Sequence, residues 1–498
     1  MTAASPVPGM CSSQDLGTGS DNCRHGACFN TETGDIENAP ALDPINTFPV
    51  TVKDDGIYIT AEEAPLKAGS RVPNIACTPS SDVHVLIVGG GSGTLGAIEG
   101  LREKGFKGKV TVLTKEAYLP IDRTKLSKAL LTEKSKLQWR DAAHFEKAGV
   151  EFHLSTEVES VDLAAHSVKT KDGKEWKYSK VIFATGGTPR RLPMPGFKEL
   201  GNIFTLRTIG DAEAILSAAG DKDIVVIGSS FIGLEVGKCL AGKNNNVTIV
   251  GMESAPLERI MGAKVGAIFK RQLEQAGVKF RLSASVDDAK PSSSDPSKVG
   301  SVLLKSGESL PADLVVLGVG VAPATEYLKG TGIELAEDGS VHVDDHWRIK
   351  GVEDAYAVGD IATYPYAYGD GPVRIEHWNV AQNAGRQAVL HIAIRGKPTP
   401  FIPVFWSALG AQLRYCGYTA SFDDVVILGD TEKNKWTAYY TVGDKVVAVA
   451  SQGTDPVVMQ SAELMRRKKM LSKTEVLAGK SVLDVYVPAG VRVEVGFE

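Results

Sequence analysis

An α/β fold with two parallel-sheet modules and an α+β C-terminal domain is predicted for this 498-residue chain by three observations. The first is an apolar, β-branched run at 83–88, too short for a helix, followed at once by Gly89, Gly91 and Gly93 and by helix-compatible residues 94–103. The second is a recurrence of that pattern: an apolar strand at 223–227, the turn Gly228-Ser-Ser-Phe-Ile-Gly233, a helix to about 241 and a strand at 247–250. The third is a change of character after residue 396, where alternating β segments precede one more helix at 456–468.

Strand, glycine turn, helix and second strand form a unit that suits a dinucleotide. Glycines let backbone approach a pyrophosphate, the helix N-terminus faces its charge, and an acid beyond the second strand takes ribose hydroxyls. Both copies carry that acid at the same offset, Glu116 six residues after Val110 and Glu253 six after Val247. Two Rossmann-like modules therefore imply two nucleotide sites. In the first copy Thr94 replaces the usual final glycine of the turn, which is expected to loosen helix–strand packing alone; in the second, Ser230 replaces the middle glycine.

Composition narrows the function classes. A net charge of −5 gives no basic face, so nucleic acid is not expected as a partner. No apolar run approaches the ~20 residues of a membrane span. The N-terminal stretch lacks a basic residue before Arg24 and an apolar core, so neither a signal nor a transit peptide is read there. Six cysteines in a chain of this length suggest a reducing, cytoplasmic setting, with a mitochondrial one open by family resemblance if the true start lies upstream. Oligomeric state stays open.

In chain order, residues 1–62 read as a small β-module behind a disordered start, with strands at 48–52 and 57–60 around the turn Asp54-Asp-Gly56, and 63–81 as a linker. Residues 82–205 form the first part of one nucleotide domain, 206–335 the second nucleotide domain, 336–395 the return to the first, and 396–498 the C-terminal domain. Lys128 and Ser127 follow a proline loop and open a helical stretch, where a cation suits a diphosphate and ring edge. Strand 180–183 runs into Ala184-Thr-Gly186-Gly187, and a later strand leaves through Gly318-Val-Gly320; glycine at such exits lets a ligand pass close. Arg190 and Arg191 could meet phosphate or solvent, and 290–298 reads as a polar surface loop. Glu235 lies one turn into the second module's helix, placed either to contact a nicotinamide or to hold a lysine. Asp360, at a strand terminus, suits a ribityl or ribose hydroxyl.

Seven motifs in order point to one family: GGGSG at 89–93, LPIDRTKLSK at 119–128, ATGGTPRRLPMPG at 184–196, GSSFIGLE at 228–235, AVGDIA at 357–362, RIEHW at 374–378, and VFWSALG with LRYCG at 404–417. From about 82 to 490 the chain resembles the FAD-dependent pyridine nucleotide oxidoreductases, in the apoptosis-inducing-factor-like and bacterial ferredoxin-reductase branch. The resemblance implies FAD held by Gly89, Gly91, Glu116, Arg123, Lys128 and Asp360, and NADH held by Gly228, Gly233 and Glu253. It places Lys128 near the flavin ring, paired with Glu235, and sets His377 and Trp406 at the flavin's border. The implied reaction is hydride transfer from NADH to FAD, then electron release to an iron–sulfur protein, a quinone or an ascorbyl radical. A slowly turning, NADH-responsive binding protein is the alternative. Glu253, with no basic cluster directly after it, favours NADH over NADPH, although Arg259 stands six residues on.

The front module, around Cys23-Arg-His25-Gly-Ala-Cys28, resembles the second half of a Rieske domain, which implies a [2Fe–2S] cluster with Cys23 and His25 among its ligands. Four ligands are needed, and the set is incomplete: Asn22 stands three residues before His25, and Cys11-Ser-Ser13 has serine where a histidine belongs. Cys28 reads as a small core residue. A disulfide reductase needs a close cysteine pair beside the flavin, and the one cysteine between 80 and 400 is Cys239.

Overall fold

The computed structural model describes residues 27–30, 33–38, 41–369, 371–409, 411–419 and 421–486. Cys23 and His25 lie outside the described residues, as does the side chain of Cys28.

Two five-stranded parallel sheets carry the chain, and four strands of each share one order; the edge strand beside them comes last in sequence in the first sheet and first in the second. In the first, Ala355–Ala357, Lys180–Phe183, Ser81–Val88, Gly108–Leu113 and Val150–His153 lie side by side. In the second the order is Ile203–Phe204, Leu314–Leu317, Asp223–Ile227, Asn246–Val250 and Lys279–Arg281. Each central strand is covered on both faces, which is why it reads as an unbroken apolar run: Val85, Leu86, Ile87 and Val226 are fully buried. The repeat extends beyond the glycine turns. Each module inserts a three-stranded antiparallel meander, 158–177 and 286–311, before the strand that returns beside its first.

The second module is an insertion. The chain leaves the first sheet after Phe183 and returns at Ala355, and the outward segment Gly187–Pro189 pairs antiparallel with the inward segment Val321–Pro323. The last part is α+β: five antiparallel strands ordered Val404–Ser407, Leu413–Gly417, Lys445–Gln452, Lys435–Val442 and Asp424–Asp430, with the helix Val457–Arg466 packed on one face.

Three expectations need correction. The 63–81 stretch contains a helix, Glu63–Ala68, closed by Gly69 in the left-handed region. Local chemistry makes it: Glu63 pairs with Lys67 at 2.6 Å, one turn apart, and glycine supplies the C-cap. Nor is the stretch a free tether, since Arg71 pairs with Asp35 of the front module and Cys77 donates its backbone N–H to Lys147. The loop at 290–298 begins as strand, because Lys290 and Pro291 end Val286–Pro291. Thr94 is fully buried, and its hydroxyl donates to the Gly89 carbonyl at 2.7 Å. In the second module Gly233 packs directly on Gly228, where a Cβ would meet its carbonyl oxygen at 2.1 Å. Threonine thus replaces close packing with a hydrogen bond.

What joins the halves of the first module is a close crossing of two helices, Ser92–Glu103 and Trp378–Ile394. A Cβ on Gly96 would meet the Gln382 carbonyl oxygen at 2.2 Å, and one on Gly385 would meet that of Gly93 at 2.1 Å. Beside the crossing Arg386 is clamped by Glu99 at 3.0 Å and Glu103 at 2.6 Å, all three buried. Gly385→Ala is expected to cost roughly 2–3 kcal/mol by forcing the helices apart. Urea unfolding measures this, and an unchanged midpoint refutes the contact.

Candidate functional site

One cleft of about 1030 Å³ runs between the modules and under the C-terminal sheet, reaching from the first glycine turn to the second. Its volume exceeds the usual range for a single small ligand, about 300–1,000 Å³. At one end lies Gly91, the N-cap of Ser92–Glu103. Gly91 has an ordinary extended backbone and a Cβ there would meet nothing within 4 Å. Neither strain nor packing requires glycine here, so the open cradle at a helix N-terminus fits the phosphate of a ligand. Gly89 differs: at φ +118°, a Cβ would lie 2.2 Å from the Ala184 carbonyl oxygen, so it serves the turn itself. Gly93 lines the cleft too, while its bare backbone also seats Val358 and Ala381.

Acids at the strand ends come with partners. Glu116 holds Arg123 through both carboxylate oxygens, at 2.6 and 2.7 Å, and Arg123 also donates to the Arg207 carbonyl at 2.7 Å. Asp360 is buried and receives Arg207 at 3.0 Å. Gly186, at φ +69°, makes room for that contact, since a Cβ would lie 2.7 Å from the Arg207 guanidinium. Gly186 therefore serves Arg207. Nothing in the spacing of the sequence singles out Arg207, and reading by motif misses it.

Midway along the cleft, Lys128 and Glu235 form an ion pair at 3.4 Å. Lys128 and Ser127 stand in the last turn of Thr124–Ala129, not at its start. The helix begins earlier because Asp122 accepts from the Thr124 N–H at 3.0 Å, and it stops at Leu130 in the left-handed region. Glu235 also accepts from Ser127 and, at 2.7 Å, from Ser407 of the C-terminal sheet. Of the two roles left open for Glu235, holding a lysine is the one seen. Ser407 lies within the VFWSALG motif, but motif reading gives it no role.

The C-terminal sheet supplies an aromatic wall. Trp406 stacks edge-on to Trp378 at 5.6 Å and packs near His377, whose ring faces Asn379 at 2.8 Å. Burial pushes the His377 imidazole down from 6.5 to about 4, against a smaller opposing effect of its Asn379 bond. At the far end Ser230, Phe231, Arg259 and Gly320 line the cleft, whereas Gly228, Gly233 and Glu253 stand behind it. Gly228, at φ +110°, and Gly233 are demanded by packing against Gly318 and each other. Gly320, at φ +89° with nothing within 4 Å, faces open space. Arg190 and Arg191 do not line the cleft; they donate to the backbone carbonyls of Val321, which does, and of Ile203.

The pyridine nucleotide-disulphide oxidoreductase family model matches residues 83–385, and a reductase C-terminal model matches 404–484. The chain belongs to the pyridine nucleotide-disulphide oxidoreductase family. It is similar to human apoptosis-inducing factor 3, with 36% identity over 460 residues that cover 91% of this chain and 75% of that protein. Rubredoxin-NAD(+) reductase of Pseudomonas putida is 30% identical over 353 residues, 70% of this chain and 90% of that one. Among solved structures, the covalent putidaredoxin reductase–putidaredoxin complex superposes with a TM-score of 0.74 at 27% identity, over 80% of this chain and 99% of that chain. The protein is an FAD-dependent NAD(P)H oxidoreductase, and the open cradle at Gly91 fits the diphosphate of such a cofactor. Despite the family's description, Cys239 is the one cysteine between 80 and 400, and burial raises its thiol. Dithiol chemistry lacks its second sulfur.

Gly91→Ala is expected to yield a chain of unchanged fold, its stability within about 1 kcal/mol, that purifies without flavin; yellow protein at normal occupancy refutes the cradle. His377 gives a pH test. Its folded imidazole stays neutral where the unfolded chain's takes a proton, so stability falls as pH drops from 6.5 towards 4. Urea unfolding across that window should show a smaller loss in His377→Gln, and equal losses refute the burial.

Proposed function

We propose that this protein takes hydride from NADH onto resident FAD and passes the electrons on to an iron–sulfur protein. The observation that carries this reading is the single cleft that joins both glycine turns and holds the Lys128–Glu235 pair between them. The partner class comes from relatives: one is named a rubredoxin-NAD(+) reductase, and one solved structure is titled as putidaredoxin reductase joined to putidaredoxin. The division into a flavin part at 82–205 and 336–395, a nicotinamide part at 206–335 and a C-terminal part at 396–498 is proposed on the two sheets and the insertion between them.

Bound FAD supplies the chemistry, accepting a hydride and releasing electrons. The chain's residues supply position and charge. Gly91, at the helix N-terminus that the Gly89 turn sets up, would give the diphosphate access to backbone N–H groups, and Glu116 and Asp360, each fixed by an arginine, would present oxygens to hydroxyls. Lys128 would bring a positive charge to a flavin ring held in the cleft; fixed by Glu235, it needs no reorganisation to meet negative charge there. The two nucleotides would meet there, so orientation is set before reaction. Gly228, Gly233, Gly320 and Glu253 shape the nicotinamide nucleotide's site. His377, neutral at pH 7, and Trp406 close the wall against water.

Cys23 and His25 would make half of the four ligands a [2Fe–2S] centre needs. The described cysteines, Cys77, Cys239 and Cys416, are free thiols. Among the described residues no helix is long and apolar enough to cross a membrane.

A second reading is favoured by the 36% identity to apoptosis-inducing factor 3 across 91% of this chain: an NADH-responsive flavoprotein with slow turnover. Steady-state NADH oxidation with a ferredoxin, ferricyanide and a quinone separates the two. Fast turnover with the ferredoxin supports the reductase; a flavin that stays bleached under NADH with negligible turnover supports the sensor; a colourless protein that cannot be reconstituted refutes both. In the holoprotein, Lys128→Ala should slow single-turnover bleaching by NADH about tenfold or more while FAD remains bound. An unchanged rate refutes that role for Lys128.

A further inference from the structure

The adenosine end of the second nucleotide site is built differently from what its acid implies. The residue directly beyond the strand Asn246–Val250 is Gly251, and a Cβ there would meet the Ser229 hydroxyl at 2.6 Å. The acid comes two residues later, as Glu253, and both of its oxygens are engaged. One accepts from the Ser229 hydroxyl at 3.2 Å, and the other pairs with Nε of Arg259 at 3.0 Å. Arg259 lines the cleft and Glu253 does not. The Arg259 side chain is 75% exposed, against 21% for Glu253, so the group shown to an arriving nucleotide is the guanidinium. It stands in a single helical turn, 258–261, which Gly262 at φ +75° separates from the longer helical run to Gln275. The neighbouring carboxylate of Glu258 is turned back to cap the N–H groups of Ser254 and Ala255, at 2.7 and 3.1 Å.

A bare carboxylate at this place selects against a ribose 2′-phosphate by repulsion, and an arginine accommodates it. Here the carboxylate is neutralised by the arginine in front of it. An ion pair so exposed contributes little, so the guanidinium can exchange Glu253 for a phosphate at small cost and gain a charge-assisted, forked contact. We infer that Arg259 is a specificity-determining residue that admits NADPH beside NADH, reading the 2′-phosphate at the cleft's adenosine end. This rests on the assignment of the second glycine turn to the nicotinamide nucleotide, and it revises the preference for NADH that Glu253 alone suggests.

The test uses the holoprotein and two adenosine fragments, 2′,5′-ADP and 5′-AMP, titrated by calorimetry so that the adenosine end is read without turnover. Arg259→Ala is expected to lower the ratio of 2′,5′-ADP to 5′-AMP affinity about tenfold or more, and Arg259→Lys, which keeps the charge, about threefold or less. In flavin reduction, wild-type kcat/KM for NADPH should lie within about tenfold of that for NADH, and Arg259→Ala should lower that ratio in parallel. A fragment ratio indifferent to Arg259, or wild-type discrimination against NADPH beyond about a hundredfold, overturns the inference and leaves the nicotinamide site standing. If neither fragment binds and neither nucleotide bleaches the flavin, the site assignment falls, and the inference with it.

Discussion

Two helices that meet nearly backbone to backbone hold this molecule's first nucleotide module together. Ser92–Glu103 follows the first glycine turn, and Trp378–Ile394 arrives only after the whole second module has been traversed. Arg386 reaches Glu99 across 287 positions of sequence. Glycines at 96 and 385 let the helix axes approach to the point where a Cβ on either would collide with the other helix's backbone. Arg386 then satisfies two buried acids that would otherwise be costly to bury. The cleft depends on this contact, because Gly91 sits on one helix's first turn and His377 caps the other.

The same economy of contact appears in the site's charges. Glu116, Asp360 and Glu235 could each have stood as a lone carboxylate over a ligand, yet each is tied to a cation from a different stretch of chain: Arg123, Arg207 and Lys128. Paired in a partly dry cleft, these groups are oriented before any ligand arrives, and the low dielectric strengthens their fields there. The pairing also removes net repulsion towards the phosphates of an incoming dinucleotide. Glu253 with Arg259 repeats the arrangement at the second site, with the difference that the cation lies outermost.

The β-strand–turn–helix units and their duplication were legible in the sequence because apolar period, glycine turns and strand ends are local signals. The second module's Asp223–Ile227 strand and its helix end at Ala241 lie where the pattern sets them. What was not legible depends on partners distant in sequence. A glycine's chemistry does not say whether its empty space is for a ligand, as at Gly91, for a neighbouring side chain, as at Gly186 beneath Arg207, or for another helix, as at Gly385. Arg207 carries no motif and Ser407 stands in one without a role assigned to it, and their roles exist only because folding brings them to Asp360 and Glu235. Within the 63–81 stretch, six residues of helix rest on one ion pair and a glycine cap, weak signals beside its prolines.

Glu235 shows why the C-terminal sheet belongs to the site and is more than a cover. It lies on the second module's helix, receives Ser127 and Lys128 from the first module, and receives Ser407 from the C-terminal sheet. Three parts of the chain therefore converge on one nearly buried carboxylate. Displacing any one of them would leave hydrogen-bonding capacity unmet in a buried place, which costs about 1–3 kcal/mol per group. That penalty keeps the sheet registered to both modules, so the strand that carries Ser407 also fixes Trp406 one residue away. The wall of the cleft and the lysine at its centre are thereby positioned by the same acid, and a change at the wall is felt at the lysine through one hydrogen bond and one ion pair.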